Sequence, residues 1–211
     1  MKAVTVLDYG IGNLLNVVRA LQHCGADVRV ASSADAQSMA SGHMVLPGVG
    51  AFGDAMVELH ARGLDDTVRR FVETGRPFLG ICVGMQVLFE RGLEMGDHMG
   101  LGLITGKVAP IPLLGADGRQ HRIPHIGWRS LKPSNPWDDT MLTRLHPDEK
   151  MYFVHSYAAV TADKAAVLAE VHYDGVALCA AVQKNNLHGC QFHPERSGPA
   201  GLSVLKSFLE L

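Results

Sequence analysis

The sequence predicts an α/β fold: an open, mostly parallel mixed sheet flanked by helices on both faces, with added antiparallel strands in the C-terminal half. In the first half of the chain, short apolar segments alternate with segments whose apolar residues recur at helical spacing. Apolar strands joined by amphipathic helices are typical of parallel sheets covered on both faces. After about residue 100 the sequence is richer in Pro, Gly and His, a pattern typical of strands and turns.

The predicted elements of the first half alternate between strand and helix. Strands are expected over residues 4–7, 27–31, 44–46 and 78–81. Helices are expected over residues 14–21, 34–40, 54–59, 64–74 and 85–93. Gly25 marks the end of the first helix, because glycine readily adopts the backbone conformation found after a helix C-terminus.

The second half is expected to consist mainly of strands. They are predicted around Val108 and over residues 126–128, 151–154, 167–171, 177–182 and 187–192, and a helix over residues 202–211 closes the chain. The sequence contains no internal repeat, low-complexity tract or linker, and it therefore predicts one domain over residues 1–211.

Composition excludes several classes of protein. The chain is 47% hydrophobic and 19% charged, and its formal net charge of −2 gives no reason to expect nucleic acid or a membrane surface as a partner. No apolar run approaches the roughly 18 residues that span a bilayer, and the first residues lack a signal-peptide pattern. The four cysteines form no C-x-x-C pair, so neither a zinc site nor a disulfide framework is expected. The sequence predicts a cytoplasmic protein that uses no metal or cofactor.

Cys82 is the candidate nucleophile. It lies in a Gly-x-Cys-x-Gly turn between an apolar strand and a predicted helix, the cysteine counterpart of the nucleophile elbow. Gly80 and Gly84 lack a Cβ atom, which allows the strand and the helix to approach closely. The turn would place the sulfur at the N-terminus of the helix, where partial positive charge favours a thiolate.

A cysteine nucleophile needs a general base, and His193 is the candidate. It follows an apolar strand, and Pro194 and Glu195 come directly after it. Two side chains spaced by two residues can lie on one side of the backbone. Glu195 can then accept the imidazole N–H, which sets the tautomer and supports the imidazolium ion.

Two segments resemble the signatures of the class I (triad) glutamine amidotransferases. They are Gly-Ile-Cys-Val-Gly-Met-Gln at 80–86 and Phe-His-Pro-Glu at 192–195. Within this family the chain is similar to the glutaminase subunits of imidazole glycerol phosphate synthases through four further segments. These are Asp-Tyr-Gly-Ile-Gly-Asn-Leu at 8–14, Pro-Gly-Val-Gly-Ala-Phe-Gly at 47–53, Pro-His-Ile-Gly-Trp at 124–128 and Met-Tyr-Phe-Val-His-Ser-Tyr at 151–157. The resemblance covers nearly the whole chain and implies a flavodoxin-like, three-layer fold of the class I amidotransferase type.

The resemblance implies that the Cys82 thiolate attacks the side-chain amide of L-glutamine. His193 would protonate the departing ammonia and then activate the water that hydrolyses the γ-glutamyl thioester. The oxyanion hole would consist of backbone N–H groups, that of Val83 and one from the glycine-rich segment at Val49 and Gly50. A peptide flanked by glycine rotates at low steric cost, so this segment can hold its N–H away from the site until a partner is loaded.

Four further residues are candidates for holding glutamine. Gln86 is expected one helical turn beyond the nucleophile, on the same face of the helix. Glu94 is expected two further turns along, where its carboxylate would meet the α-ammonium group of the substrate. Ser156 and Tyr157 match family positions near the carboxylate of glutamine.

Ammonia made at this site needs an acceptor, and no segment of the sequence is typical of a phosphosugar site. The resemblance implies a heterodimer with a (β/α)8 cyclase, which makes imidazole glycerol phosphate and aminoimidazole carboxamide ribotide in histidine biosynthesis. Asn13, Trp128 and Arg196 are the candidates for the partner interface, since Trp and Arg are frequent anchors of interfaces.

Two alternatives stay open. Arg129 follows Trp128 where the family usually has Asn, which favours a glutaminase that serves a different synthase or a secondary pathway. A catalytically inactive scaffold that binds the partner is the other alternative, and the intact Cys82, His193 and Glu195 argue against it.

Overall fold

The structure is a computed structural model that describes residues 1–34 and 39–211, and it contains a nine-stranded sheet and a four-stranded sheet. The strands are β1 (Ala3–Leu7), β2 (Asp27–Ala31), β3 (His43–Gly48), β4 (Phe78–Cys82), β5 (Phe89–Gly92), β6 (His98–Met99), β7 (Ile104–Pro110), β8 (His125–Pro133), β9 (Lys150–His155), β10 (Tyr157–Val160), β11 (Val167–Tyr173), β12 (Val176–Lys184) and β13 (Leu187–Cys190). The helices are α1 (Leu14–His23), α2 (Phe52–Ala61), α3 (Leu64–Glu73), α4 (Val83–Gln86) and α5 (Gly198–Glu210). The helix predicted over residues 34–40 falls on residues 35–38, which lie outside the described residues.

The large sheet has the strand order β2-β1-β3-β4-β13-β12-β11-β8-β9. Strands β2, β1, β3, β4 and β13 are parallel to one another, and β12, β11, β8 and β9 continue the sheet in antiparallel pairs. Helices flank this sheet, with α1 packed against α5 and α2 packed against α3. The arrangement confirms the predicted mixed α/β sheet and its antiparallel C-terminal extension.

Strand β4 lies in the middle of the large sheet, between β3 and β13. All residues of these three strands are buried, which explains why their sequences are mainly apolar. The register aligns Gly48 with Cys82 and Ile81 with Cys190. The carboxyl ends of β3, β4 and β13 therefore meet at one edge of the sheet, where ligands bind in open α/β folds.

The helix predicted over residues 85–93 is wrong beyond its first turn. Helix α4 ends at Gln86, and residues 89–92 form strand β5, which pairs with β6 and β7. The backbone carbonyls of Val87 and Leu88 accept hydrogen bonds from residues 101–104 instead of from a next helical turn. This tertiary pairing overrides the local helical pattern. It also forms the small second sheet, of whose strands only β7 was predicted from the sequence.

Smaller differences concern element ends. Helix α5 begins at Gly198, before the predicted start at residue 202, and β8 continues from the predicted residue 128 to Pro133. Within residues 1–34 and 39–211, no helix has the length and apolar character needed to cross a membrane.

Buried histidines form a notable part of the interior. His43 and His188 both pack edge-on against Phe208, and burial lowers the pKa of each to about 4. His125 and His155 are 3.1 Å apart, from Nδ1 to Nε2, and burial lowers their pKa values to about 3 and about 4. The folded chain therefore holds all four imidazoles in the neutral form at neutral pH.

We predict that the melting temperature falls as the pH is lowered from about 6.5 to about 4. Histidines of the unfolded chain bind protons near pH 6.5, whereas these four bind them only near pH 3–4, so acid favours the unfolded state. Each contributes up to about 1.4 kcal/mol per pH unit in this window. His43→Leu should therefore show a shallower loss of Tm between pH 7 and pH 4.5 in thermal melts, whereas a change of the exposed His146 to Leu should not. Parallel pH profiles for His43→Leu and the wild type would contradict this explanation.

Candidate active site

Cys82 occupies a sharp turn between β4 and α4. Its backbone has φ 54° and ψ −112°, a positive-φ conformation that residues with a side chain rarely adopt. The side chain is only 4% exposed, and the residue lies at the N-terminus of α4. The strand–turn–helix geometry expected of a nucleophile elbow is therefore present, and strained backbone of this kind is typical of functional sites.

Glycines make the turn possible. A Cβ atom on Gly84 would overlap the carbonyl oxygen of Leu46 in the neighbouring strand, and one on Gly80 would overlap the backbone of Gly84. The predicted role of Gly80 and Gly84 in allowing close approach is confirmed. Gly48 at the end of β3 is equally constrained, because its Cβ would overlap the hydroxyl of Tyr9 and lie 2.9 Å from the Gly84 nitrogen.

His193 and Glu195 form a buried pair beside the elbow. The Nδ1 atom of His193 donates a hydrogen bond to Oε1 of Glu195 at 2.9 Å, and the two side chains are 3% and 1% exposed. Asn13 donates a second hydrogen bond to the same oxygen at 3.2 Å. The predicted contact between the histidine and the carboxylate two residues later therefore exists, and it sets Nδ1 as a protonated nitrogen.

The loop that carries this pair is fixed to strand β9. The His193 N–H donates to the carbonyl of Tyr152 at 2.9 Å, and the Tyr152 N–H donates to the hydroxyl of Ser197 at 3.0 Å. The same hydroxyl donates to the His193 carbonyl at 2.6 Å. This closed ring of bonds holds His193 in place without contact to its imidazole.

The electrostatics of the site favour a protonated His193. Burial alone would lower its pKa, but the neighbouring Cys82 and Glu195 outweigh burial and raise the pKa to about 10. Because Nδ1 is bonded to Glu195, Nε2 is the nitrogen left for Cys82 and a substrate. It is buried, and it has no hydrogen-bond partner in the part of the chain that the structure describes.

The three other cysteines are poor nucleophiles. Burial raises the pKa of Cys179 to about 12 and that of Cys190 well above its usual range. Burial also raises the pKa of the half-buried Cys24. At neutral pH these three side chains remain thiols, the poorly nucleophilic form of cysteine.

A cavity of about 450 Å³ opens over the elbow. Nine of the residues singled out in the sequence line it: Val49, Gly50, Cys82, Val83, Gln86, Glu94, Ser156, Tyr157 and His193. Met95 and His155 also contribute to the lining. The structure thus brings the predicted nucleophile, base, oxyanion segment and substrate-binding candidates to one pocket, with Glu195 hydrogen-bonded to His193.

Gln191 is a polar neighbour of the nucleophile that the sequence did not reveal. Its Nε2 donates to Sγ of Cys82 at 3.5 Å, and its Oε1 accepts from Nε2 of Gln86 at 2.9 Å. Gln86 also donates to the carbonyl of Tyr157 at 3.2 Å. The side chain of Gln191 is completely buried, one residue beyond the register pair of Cys190 and Ile81. A signal existed in the sequence, a lone Gln inside the apolar strand that ends at His193, but only the strand register shows what it faces.

Glu94 reaches the cavity by a different route from the one expected. It follows strand β5 and does not lie on the elbow helix, so the predicted helical spacing from Gln86 is wrong. Its Oε2 accepts a hydrogen bond of 2.8 Å from the N–H of Phe52, the first residue of α2. The carboxylate is therefore held at a helix N-terminus, where negative charge is favourable.

The three candidates for a partner interface are linked through Tyr152 and Glu195. Trp128 is 46% exposed, so it is not a core tryptophan, and its ring contacts that of Tyr152 with centroids 5.6 Å apart. The guanidinium of Arg196 lies 4.7 Å from the centroid of the same Tyr152 ring. Asn13 donates to Glu195, the residue directly before Arg196.

Arg129, which departs from the family pattern, is exposed next to Trp128. Its guanidinium donates a hydrogen bond to the Trp128 carbonyl at 3.0 Å. The substitution therefore lies beside the candidate interface and away from the residues that line the cavity.

The described residues contain no cluster of three or more His, Cys, Asp or Glu side chains placed to hold a metal ion.

The sequence matches known proteins over nearly its whole length. The family model described as "Glutamine amidotransferase class-I" matches residues 5–211. The chain is 44% identical to imidazole glycerol phosphate synthase subunit HisH 1 of Legionella pneumophila (strain Lens), with all of both chains covered. It is 43% identical to subunit HisH of Aquifex aeolicus, covering 96% of this chain and 94% of the relative.

Solved structures share the fold at lower identity. A chain in the structure of PurLQS from Thermotoga maritima superposes with a TM-score of 0.72 at 23% identity, covering 100% of this chain and 99% of the other. A crystal structure described as a glutamine amidotransferase gives a TM-score of 0.72 at 19% identity, with 99% of each chain covered. These two similarities support the fold alone.

We predict that Gly84→Ala disrupts the elbow. The added methyl group would overlap the Leu46 carbonyl, which belongs to a buried strand and cannot move aside. We expect a loss of about 3 kcal/mol or more in the free energy of unfolding, measured by urea denaturation. Gly42→Ala is the matched control, because its methyl group would meet nothing closer than 3.9 Å. Equal stability of the two variants would contradict the close packing described for the elbow.

Proposed function

The chain belongs to the class I glutamine amidotransferase family, and we propose that it is the glutaminase subunit of an imidazole glycerol phosphate synthase. It hydrolyses L-glutamine to glutamate and ammonia and supplies the ammonia to a partner cyclase in histidine biosynthesis. The observation that supports this most directly is the buried group of Cys82, His193 and Glu195 beside a cavity of about 450 Å³. The assignment to this particular synthase is supported by the full-length relatives that are named as its subunits.

The reaction begins at Cys82. Its sulfur attacks the carbonyl carbon of the glutamine side chain, and a tetrahedral intermediate forms with negative charge on the former carbonyl oxygen. A His193 that holds its proton at neutral pH is already the acid that the leaving ammonia requires. Loss of ammonia leaves a γ-glutamyl thioester on Cys82, and the neutral imidazole then removes a proton from the water that hydrolyses it.

Glu195 acts through His193. Its carboxylate accepts the Nδ1 hydrogen bond and stabilises the imidazolium, and burial of the pair strengthens this interaction. Asn13 donates to the same carboxylate oxygen and so orients it. Asn13 therefore has an intramolecular role, orienting Glu195, in addition to the contact with the partner that the sequence predicts.

The oxyanion needs donors aimed at the cavity. We assign this role to the N–H of Val83, which follows the nucleophile at the start of α4, and to an N–H of the segment at Val49 and Gly50. Gly50 has φ +86°, a conformation that favours glycine, and Gly48 precedes Val49 on the other side. The peptide at Val49 is therefore flanked by two glycines and can rotate at low steric cost.

The substrate's amino-acid group meets complementary partners. Both N–H groups of the Gln86 amide are already committed to Gln191 and Tyr157, so its carbonyl oxygen is the atom left for a ligand. Together with the carboxylate of Glu94 it offers two acceptors to an α-ammonium group. Ser156 and Tyr157 line the cavity and are the candidates for the α-carboxylate.

The partner is a cyclase of the (β/α)8 type, and the face formed by Asn13, Trp128 and Arg196 is its docking surface. An exposed tryptophan beside a stacked arginine is typical of interface anchors. The exposed Ile126 extends the apolar part of this face. Arg129 lies beside Trp128, where its side chain would adapt the contact to the particular cyclase that this chain binds. If the chain co-purifies with a different synthase instead, the alternative that it serves another synthase is favoured.

We predict that Cys82→Ala and His193→Ala each lower kcat for glutamine hydrolysis by about 10⁴-fold in the complex with the cyclase. Glu195→Gln keeps the size of the side chain but removes its charge, and we expect a loss of about 10²- to 10⁴-fold. Glu210→Gln, at a surface ion pair with Arg144, is the control and should retain full activity. The measurement is ammonia release at saturating glutamine. Turnover near the wild-type rate in Cys82→Ala or His193→Ala would end the triad assignment.

We predict that Gln191→Met lowers the reactivity of Cys82 without unfolding the chain. Methionine has a similar length but cannot donate to Sγ of Cys82, so the thiolate loses one N–H donor. We expect alkylation of Cys82 by iodoacetamide at pH 7 to slow by about 10- to 100-fold, the value of one hydrogen bond to a charged group. Gln22→Met, on the exposed surface of α1, should alkylate at the wild-type rate. Identical alkylation rates in Gln191→Met and Gln22→Met would show that Gln191 does not influence the reactivity of Cys82.

A further inference from the structure

Tyr9 carries a buried hydroxyl group that the mechanism has not used. The residue follows β1, its side chain is 1% exposed, and its hydroxyl has no hydrogen-bond partner among the residues that the structure describes. Leaving a buried hydroxyl unpaired costs free energy, and buried polar groups are nearly always paired. A tyrosine in this position therefore calls for an explanation that a phenylalanine would not.

The hydroxyl is directed at the segment that leads to the oxyanion donors. It occupies the space where Gly48 would carry a side chain, so it lies directly against that glycine. Burial raises the pKa of Tyr9, and the nearby Cys82 raises it further by a smaller amount. The hydroxyl therefore keeps its proton at neutral pH and is available as a hydrogen-bond donor. Tyr9 does not line the cavity, whereas Val49 and Gly50 do, so the hydroxyl approaches the segment from behind.

Peptide geometry links the two sides of this segment. A trans peptide is planar, and its carbonyl and N–H point in opposite directions. When the peptide between Gly48 and Val49 turns its N–H toward the cavity, the Gly48 carbonyl turns away from the cavity. Because Gly48 has no Cβ, the Tyr9 hydroxyl lies directly beside this residue. From there it can donate a hydrogen bond to the rotated carbonyl oxygen.

We propose that Tyr9 is a positioning residue for the oxyanion hole: its hydroxyl donates to the Gly48 carbonyl when the Val49 N–H faces the tetrahedral intermediate. The inference rests on the proposed glutaminase function. It gives the rotated peptide a hydrogen bond that the resting chain lacks, so the hydroxyl shifts the equilibrium toward the conformation that binds the oxyanion. Tyr9 touches neither substrate nor nucleophile in this role.

The test is Tyr9→Phe, which removes one oxygen atom and keeps the ring. In the complex with the cyclase, kcat for glutamine hydrolysis should fall by about three- to tenfold, the value of one neutral hydrogen bond, while KM for glutamine stays unchanged. In the isolated chain, Tm should be unchanged or higher, because an unpaired buried hydroxyl has been removed. Tyr173→Phe is the matched control: its hydroxyl donates to the Arg122 carbonyl at 2.6 Å, so Tm should fall and kcat should not.

Every outcome decides the proposal. A lower kcat with an undiminished Tm supports it. A wild-type kcat in Tyr9→Phe overturns it, and so does a joint fall of kcat and Tm, because the hydroxyl would then have a partner in the resting chain. Cys82→Ala is assayed alongside: its inactivity separates a failure of this inference from a failure of the glutaminase assignment.

Discussion

The close approach of three backbone segments around Cys82, the proposed nucleophile, is the constraint on which the rest of the site depends. Strands β3 and β4 and the start of α4 are so near to one another that Gly48, Gly80 and Gly84 leave no room for a Cβ. This packing holds Cys82 at a positive φ, a strain of about 1–3 kcal/mol that the buried sheet sustains. It also aligns Gly48 with Cys82, so the proposed oxyanion donors come next to the nucleophile through register alone.

Around this elbow the polar groups are ordered by their neighbours. The Tyr157 carbonyl accepts from Gln86, which in turn fixes the amide of Gln191 so that its N–H points at Cys82. At the proposed triad, Glu195 accepts hydrogen bonds from His193 and from the amide of Asn13. Each group has one orientation that satisfies its partner, which is how a buried polar network specifies a single geometry.

The sequence was sufficient for the parts of this site that are local. The elbow depends on glycines two residues either side of Cys82, and the contact between His193 and Glu195 depends on a spacing of two, so both were predicted and both exist. Gln191 depends on the pairing of distant strands, and a buried glutamine carries no local sign of its partner. The false helix over residues 85–93 has the same origin, because carbonyls near its start bond to a segment about 15 residues away. Both features depend on pairing between segments that are distant in the sequence, which the local residue pattern does not reveal.

Three of the buried polar atoms without a hydrogen-bond partner lie at or beside the candidate site. The Tyr9 hydroxyl, Nε2 of His193 and Oε2 of Glu195 are all buried without a hydrogen-bond partner within residues 1–34 and 39–211. A folded chain keeps few such groups, because each costs free energy. Substrate supplies a partner for His193, and a turned peptide supplies one for Tyr9. The resting chain is thus complementary to a state that it has not yet reached, which is the arrangement that catalysis requires of an active site. A glutaminase built in this way gains the hydrogen bonds of His193 and Tyr9 only when substrate and the oxyanion peptide are both in place.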